Sequence, residues 1–249
     1  MNGNSDRQRH RIVGTLFAGF AWLGSHELPV LLYLVALSAG VWAFFELADE
    51  VGENEAVSID EALLLSLRNP DDLADPIGPG WIEEMGRDFT ALGSMGVLTL
   101  IALSVLGYLL LGGRHRTALF TLIAVSGGML LSTLLKMGFD RARPDLVPYD
   151  TTVYTASFPS GHSMMAAVTY LTLAAILSRV HGAPLLKAYL LIVAVIITLL
   201  VGVSRVYLGV HWPTDVLAGW SAGAAWASLC WLVARWLQKR HVVEDRPAD

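Results

Sequence analysis

The chain has 249 residues, of which 54% are hydrophobic and only 16% are charged, and its formal net charge at pH 7 is −5. The hydrophobic residues come in long blocks, which is typical of a membrane protein and argues against a soluble one. Outside the motifs described below the basic residues form no cluster, so we expect no nucleic-acid partner, and the single cysteine, Cys230, excludes an intrachain disulfide and a thiolate metal cage.

The N-terminal part predicts an interfacial segment followed by the first membrane span. Residues 1–27 carry Arg7, Arg9 and Arg11 ahead of a short apolar run, a pattern that also fits a signal peptide. No small-residue cleavage site follows cleanly, so we favour an interfacial helix. The apolar stretch from Leu28 to Leu47 then has about 20 residues, enough to cross ~30 Å of hydrocarbon.

Residues 48–90 form a long polar region between the first and second spans. Within it, Ser58-Ile59-Asp60-Glu61 has the spacing of a capping box, which predicts Ser58 as the N-cap of a short helix. Apolar residues recur at helical spacing from Trp81 to Phe89 and predict a second amphipathic helix. We expect both helices to lie on the bilayer surface, either as structural cover or as the flanks of a lipid entrance.

Five further apolar runs, at about 91–111, 118–138, 162–178, 185–203 and 212–237, bring the number of predicted spans to six. Gly127-Gly128 and Gly219 with Gly223 fall inside spans, where small residues allow close helix contact. We therefore predict an all-α fold, a six-transmembrane-helix bundle with amphipathic interfacial helices in the first extracytoplasmic loop. We expect residues 1–249 to form a single membrane-embedded domain, with the motifs of its catalytic core within 118–220.

The distribution of Lys and Arg predicts the orientation of the chain. With a cytoplasmic N-terminus and six spans, eleven basic residues fall inside: Arg7, Arg9, Arg11, Arg114, Arg116, Arg179, Lys187, Arg235, Lys239, Arg240 and Arg246. Six fall outside: Arg68, Arg87, Lys136, Arg141, Arg143 and Arg205. This excess predicts an N-in/C-in protein of the inner (cytoplasmic) membrane, with the motifs described next on the extracytoplasmic face.

Three motifs between Lys136 and Asp215 contain the candidate functional residues. They are Lys136 and Arg143 with six residues between them and Pro144 after them, Pro159-Ser160-Gly161-His162, and Ser204-Arg205 followed by His211 and Asp215. Together they supply three cations, two imidazoles and a carboxylate at the ends of apolar segments. That set of groups is suited to phosphoryl transfer without a metal ion.

The second and third motifs each predict the start of a helix, and in both the helix start would place groups that can act on a phosphate. Ser160 is placed as an N-cap, and the N–H groups that follow it can bind phosphate oxygens, with Gly161 allowing close approach. His211 and Asp215, four positions apart, share one face if the turn is helical. The carboxylate would then fix the tautomer of the imidazole and leave its other nitrogen free as a nucleophile.

Each feature alone also fits a plain structural role: a helix start, a structural histidine, or cations that reach the lipid headgroups. Charges so close to an apolar slab are costly, however, and all three motifs occur together, which favours function. Zinc is a further alternative, because His162, His211 and Asp215 could supply three ligands. Three cations beside the same site would repel a dication, so we expect no metal and no other cofactor.

The motifs K-x6-R-P, P-S-G-H and S-R-x5-H-x3-D resemble, in order and spacing, the signature of the type 2 phosphatidic acid phosphatase (PAP2) superfamily. The resemblance implies an all-α bundle in which His211 attacks phosphorus to form a phosphohistidine, Asp215 orients His211, and His162 protonates the leaving oxygen. It also implies that the phosphate oxygens are held by Lys136, Arg143, Ser160, Gly161 and Arg205.

The same resemblance implies an integral-membrane lipid phosphatase or diphosphatase whose partners are a lipid phosphate and the bilayer. Its substrate would be a polyprenyl diphosphate such as undecaprenyl diphosphate, phosphatidylglycerophosphate or phosphatidate. Lipid A phosphatases of the same family, the vanadium haloperoxidases and a non-catalytic lipid-phosphate binder or transporter are alternatives. The apolar spans argue against the soluble haloperoxidases, and the two histidines with Asp215 argue against a protein that only binds.

Overall fold

The computed structural model of the chain describes residues 3–53, 55–146, 156–180, 183–240 and 242–243, and most of these residues are helical. In chain order the elements are α1 (Gly3–Gly52), α2 (Val57–Leu65), β1 (Arg68–Asn69), β2 (Asp72–Pro76), α3 (Gly80–Ala91), α4 (Met95–Leu111), α5 (His115–Met137), α6 (Gly161–Ala166), a π-helical turn (Ala167–Leu171), α7 (Thr172–Val180), α8 (Pro184–Tyr207) and α9 (Pro213–Lys239). The predicted all-α fold is confirmed.

Within the described residues, five helical segments are long and apolar enough to cross a membrane: Leu28–Gly52 of α1, α5, the stretch Gly161–Ser178, α8 and α9. Helices α3 and α4 meet the same criterion together, as a pair bent by 52°, which brings the number to six if the bent pair forms one span. The six predicted spans therefore correspond to helices. Helix α4 alone has 17 residues, and α3, which precedes it, is the helix that the sequence placed on the bilayer surface.

Helix α1 runs for 50 residues without a break at Glu27, where the sequence analysis placed the end of an interfacial segment. Residues 1–2 of that segment lie outside the described residues. The first span and the segment before it thus belong to one continuous helix from Gly3 onward.

The polar region after α1 folds differently from the prediction in one respect. Helix α2 begins at Val57 after Ala56, and Ser58 lies inside its first turn with no side-chain cap, so the predicted capping box is wrong. The physical reason lies in tertiary packing, because Asp60 of the same turn is fully buried and bonds to residues of α9 and of the segment after α5. Docking of the helix, rather than capping, fixes its start.

A short antiparallel hairpin, β1 with β2, connects α2 to α3 and covers the end of α8. The buried Arg68 donates from Nη2 to the carbonyl oxygen of Tyr207, the last residue of α8, over 2.8 Å. The Tyr207 hydroxyl donates in turn to the carbonyl oxygen of Ile77 over 2.9 Å. A cation on the C-terminal carbonyls complements the helix dipole, so the hairpin stabilises the helix end that carries Arg205.

The stretch Gly161–Ser178 is the centre of the bundle. Of its residues 72% are buried, compared with 22% in the apolar part of α8. Helix α9 approaches it closely at two glycines. A Cβ at Gly223 would lie 2.5 Å from Ala167 Cβ, and one at Gly219 would lie 2.8 Å from the Ser160 carbonyl oxygen. The packing role predicted for these glycines is confirmed, and it brings the start of α6 against the start of α9.

Three aromatic rings fix the segment after α5 and the segment before α6 to α1. Phe158 packs against Phe139 with ring centroids 4.7 Å apart and against Phe44 of α1 at 5.8 Å. Phe158 is fully buried and is followed by a cis peptide bond to Pro159. The backbone that leads into the Pro-Ser-Gly-His motif is therefore anchored in the core.

Candidate active site

Four helix ends meet at one end of the bundle and carry the three motifs. Lys136 is in the last turn of α5, and Arg205 is in the last turn of α8. Gly161 and His162 open α6, and Asp215 lies in the first turn of α9. Residues up to 79 positions apart, such as Lys136 and Asp215, are thus brought together. Consecutive spans alternate in direction, so their motif-bearing ends share one side.

A cavity of about 750 Å³ lies at this end of the bundle. Six of the predicted site residues line it: Lys136, Arg143, Gly161, His162, Arg205 and His211. The rest of its wall is apolar or small, and consists of Thr90, Gly93, Met95, Met129, Ser132, Thr133, Met137, Ala156 and Met165. The other two predicted residues, Ser160 and Asp215, are fully buried and do not line the cavity.

His211 and Asp215 face each other as their spacing predicted. His211 Nδ1 is 3.2 Å from Asp215 Oδ2, and His211 Nε2 is 3.1 Å from Nη1 of Arg143. A guanidinium can only donate, so Nε2 is the acceptor and Nδ1 carries the proton that is donated to Asp215. These partners assign the tautomer, and they leave a lone pair on the nitrogen that faces the cavity wall.

The pKa of His211 is lowered to about 4, mainly by burial and also by the nearby Arg143 and Arg205, whereas the hydrogen bond and the charge of Asp215 act in the opposite direction. Desolvation of the charged form is the largest of these effects. The imidazole is therefore neutral at pH 7, with a lone pair on Nε2 that accepts a hydrogen bond from Arg143.

Asp215 is held by donors on both oxygens. Oδ2 accepts from the Trp212 N–H over 3.0 Å and from the Ser157 hydroxyl, and Oδ1 accepts from Arg141 Nη1 over 2.7 Å. The Trp212 contact places Asp215 at the third position of α9, reaching back to the N-cap, as acidic side chains do at helix starts. Ser157 was not predicted, although it stands two residues before the second motif, and its hydroxyl is also 3.3 Å from His211 Nδ1.

Two of the cations beside the cavity are anchored on backbone carbonyls. Lys136 Nζ donates to the Ala156 carbonyl over 3.0 Å, and Arg143 Nη1 donates to the Val210 carbonyl over 2.8 Å. A Cβ at Gly161 would lie 3.0 Å from Lys136 Cε. Glycine at this position therefore lets the lysine chain lie against the start of α6.

The third cation, Arg205, is buried in the wall between α8 and α3. Its Nη1 donates to the Thr90 hydroxyl over 3.3 Å, and that hydroxyl is 2.8 Å from the Ser204 hydroxyl. Its Nε has no hydrogen-bond partner among the described residues. A buried unpaired donor beside a cavity is suited to an anionic ligand. Thr90 was not predicted, because it stands 115 residues from Arg205.

Ser160 takes the predicted N-cap position of α6 with an extended backbone, but its side chain makes no capping bond. Its hydroxyl instead accepts from the Ser163 hydroxyl over 2.9 Å. The residue therefore shapes the start of α6, and a contact between its hydroxyl and phosphate stays a prediction.

A buried ionic group that the sequence analysis did not predict lies behind Asp215. Arg141 bridges two carboxylates, with Nη1 2.7 Å from Asp215 Oδ1 and Nη2 2.7 Å from Asp60 Oδ2. Asp60 also accepts the Thr214 N–H over 3.0 Å and the Thr214 hydroxyl. Arg141 lies within the first motif, between Lys136 and Arg143, so its position could have suggested a role at the site. No local sequence pattern suggests such a role for Asp60.

Within the described part of the chain, no three His, Cys, Asp or Glu side chains are grouped so that they could hold a metal ion. Of the three residues considered for zinc, Asp215 has donors on both of its oxygens. The cavity presents cations rather than carboxylates, and that donor set suits an anion.

The sequence and the fold are similar to those of known phosphatases. The PAP2 superfamily matches residues 114–239. Phosphatidylglycerophosphatase B of Bacillus subtilis (strain 168) is 35% identical over 186 residues, which cover 72% of this chain and 85% of that protein. Lipid A 1-phosphatase of Rhizobium etli is 31% identical over 183 residues, which cover 62% of this chain and 73% of that protein.

Among solved structures, the crystal structure of a transmembrane PAP2-type phosphatidylglycerolphosphate phosphatase from Bacillus subtilis superposes with a TM-score of 0.67 at 29% sequence identity. The alignment covers 83% of this chain and 97% of that one. The similarity thus extends over the helices of the bundle as well as the motifs.

Proposed function

Because this chain belongs to the PAP2 superfamily and is an integral-membrane lipid phosphatase, we propose that it removes the terminal phosphate of phosphatidylglycerophosphate through a phosphohistidine, without a metal ion. The observation that carries the mechanism is the neutral His211, oriented by Asp215, in the wall of a cavity that three cations also line. The substrate is proposed from the Bacillus subtilis relatives.

In the first step, Nε2 of His211 attacks phosphorus as the bond from phosphorus to the lipid oxygen breaks. His162, in the same cavity wall, gives its proton to that leaving oxygen. The developing positive charge on His211 is stabilised by Asp215 at Nδ1. The products of this step are the lipid alcohol and a phosphorylated His211.

In the second step, a water molecule attacks phosphorus and gives a proton to His162 as the bond between His211 and phosphorus breaks. Inorganic phosphate leaves, and both histidines return to their starting states. Lys136, Arg143 and Arg205 neutralise the charge on the equatorial oxygens in both steps. The N–H groups at the start of α6, from Gly161 onward, bind the phosphate from a third direction.

The composition of the cavity wall supports a lipid substrate. Four methionines, Met95, Met129, Met137 and Met165, lie beside the cationic end. Flexible, polarizable side chains of this kind fit irregular apolar ligands. A second candidate substrate, lipid A carrying a 1-phosphate, is supported by the Rhizobium etli relative.

We also propose a single membrane-embedded domain, N-in/C-in in the inner membrane, with the cavity facing the extracytoplasmic side. Four of the basic residues counted outside, Lys136, Arg141, Arg143 and Arg205, belong to the site or its support. Only Arg68 and Arg87 then remain for topology on that side, which strengthens the positive-inside argument.

Phosphate release by the detergent-purified protein in EDTA tests the proposal, with phosphatidylglycerophosphate, phosphatidate, undecaprenyl diphosphate and lipid A offered in parallel. We expect the first to be hydrolysed fastest, His211→Ala to abolish release, and orthovanadate to inhibit. Activity lost to EDTA would revive the zinc alternative. Lipid binding without phosphate release would support the non-catalytic binder instead.

A further inference from the structure

We infer that Asp60, on the loop helix α2, is a positioning residue for the phosphatase reaction: it holds Arg141 so that Arg141 orients Asp215 toward His211. The inference rests on the proposed function of His211 and Asp215. Asp60 lies 154 residues from Thr214 in the chain and belongs to none of the three motifs.

The geometry is a continuous series of charged contacts that ends at the nucleophile. Asp60 Oδ2 and Asp215 Oδ1 each accept from one arm of the Arg141 guanidinium at 2.7 Å. Asp215 Oδ2, the other oxygen of that carboxylate, faces His211 Nδ1. Asp60 and Asp215 are both fully buried, and the Arg141 side chain is only 13% exposed.

Because Arg141 bonds to two carboxylates, only one of its guanidinium nitrogens pairs with Asp215, and this leaves the second oxygen of Asp215 for other donors. A guanidinium pairs readily with both oxygens of one carboxylate. If Asp60 did not hold one arm, Arg141 could turn to pair with both oxygens of Asp215 and compete with His211 for Oδ2. Asp60 thus keeps Arg141 on Oδ1 and leaves Oδ2 to the imidazole, the Ser157 hydroxyl and the Trp212 N–H.

Asp60 also fixes the start of α9 directly. It accepts the Thr214 N–H, a group that has no partner inside the helix, and a negative charge at this end complements the helix dipole. This second contact alone would make Asp60 a purely structural residue. The experiment must therefore separate loss of folding from loss of Asp215 orientation.

The test places Asp60→Asn in the wild-type background and in the Asp215→Asn background and compares kcat and KM. Asparagine keeps the size of the side chain but brings a donor toward Arg141 or Thr214. We expect kcat to fall roughly tenfold in the wild type with KM nearly unchanged, the coupling typical of residues in one hydrogen-bonded network. Because the effect acts through Asp215, we expect no further loss in the second background.

A matched control is available on the same helix. Glu61→Gln removes the same charge from the adjacent residue, which makes no hydrogen bond to Arg141 or Thr214, and it should leave kcat unchanged. An equal loss from Asp60→Asn in both backgrounds, or no loss in either, would overturn the inference. Activity that persists in His211→Ala would instead refute the proposed mechanism, so the two failures are distinguishable.

If Asp60→Asn does not fold, Arg141→Lys tests the same arrangement. A single ammonium cannot reproduce the two-armed contact to both carboxylates. We expect the same loss of kcat in the wild type and none in the Asp215→Asn background. Wild-type kcat for Arg141→Lys, or an equal loss in both backgrounds, would show that the bridge does not orient Asp215.

Discussion

The backbone N–H of Ser160 donates a hydrogen bond to the carbonyl oxygen of Asp215 over 2.9 Å. This bond joins the second and third motifs through the main chain, at the point where α6 and α9 both begin. It is possible because Gly219 has no Cβ, which would otherwise lie 2.8 Å from the Ser160 carbonyl oxygen. The proposed nucleophile and the proposed phosphate-binding helix start therefore keep a fixed separation before any substrate binds.

Asp215→Asn should lower kcat by roughly 10²- to 10⁴-fold, in line with the same exchange in a serine-protease triad. The amide no longer requires the tautomer that leaves the Nε2 lone pair of His211 free. Phosphate release measured beside the thermal unfolding temperature checks this, and folding should be retained. Unchanged turnover would remove Asp215 from the mechanism.

The pH profile of kcat/KM should have its acid limb near pH 4 rather than near 6.5, the ordinary pKa of histidine. Protonation removes the lone pair of His211, and burial lowers its pKa, so activity is kept until the pH falls to about 4. Asp215→Asn should move the limb to still lower pH, because Asp215 raises this pKa. A limb near 6.5 in the wild type would contradict a buried neutral nucleophile.

Gly161→Ala should raise KM several-fold and weaken inhibition by orthovanadate. The new Cβ would lie 3.0 Å from Lys136 Cε, so the lysine has to shift away from the start of α6. Gly107→Ala is the matched control, because a Cβ there meets no atom within 4 Å. Equal KM values for the two variants would show that Lys136 does not depend on this contact.

Gly223→Ala should lower the thermal unfolding temperature, with a loss of about 1–3 kcal/mol for overpacking. Its Cβ would approach Ala167 Cβ to 2.5 Å and the Met164 carbonyl oxygen to 2.8 Å, which forces α6 and α9 apart. Thermal scans of this variant beside Gly107→Ala give the comparison. If both unfold at the wild-type temperature, the close contact of α6 with α9 is not needed for stability.

Cysteine labelling in spheroplasts should report the proposed orientation. The native Cys230 is buried, so we expect little labelling of the wild-type protein. An impermeant maleimide should label Asp71→Cys, in the exposed hairpin, without lysis, and should label His115→Cys, at the start of α5, only after permeabilisation. The reverse pattern would place the cavity on the cytoplasmic side.

The sequence was sufficient for the spans and for the neighbourhood of the motifs, because hydropathy and motif spacing are local properties. Six of the eight predicted residues line one cavity, since each stands at a helix end, or in a segment next to one, on the same side of the bundle. The other two, Ser160 and Asp215, lie beneath that surface. Whether a hydroxyl turns inward, as that of Ser160 does toward Ser163, depends on packing that spacing does not encode.

The missed residues share a different physical origin. Asp60 and Thr90 reach the site across 154 and 115 positions of chain, and neither stands in a local pattern that marks it. The local pattern around Asp60 led to a wrong prediction. The apparent capping box at Ser58 explained the start of α2 by a local contact, so no tertiary contact of Asp60 was expected. Long-range contacts of this kind, the salt bridge of Asp60 and the hydrogen bond of Thr90, become visible only once the helices are packed.

The bend between α3 and α4 has a consequence for how such phosphatases can diverge. It brings Thr90, Gly93 and Met95 into the cavity wall, although all three motifs lie further along the chain. A chimaera that exchanges residues 53–95 between two such enzymes would replace one wall of the cavity and the Asp60 contact while keeping every motif. One wall of the cavity is thus encoded in a different portion of the gene from the bond-breaking residues.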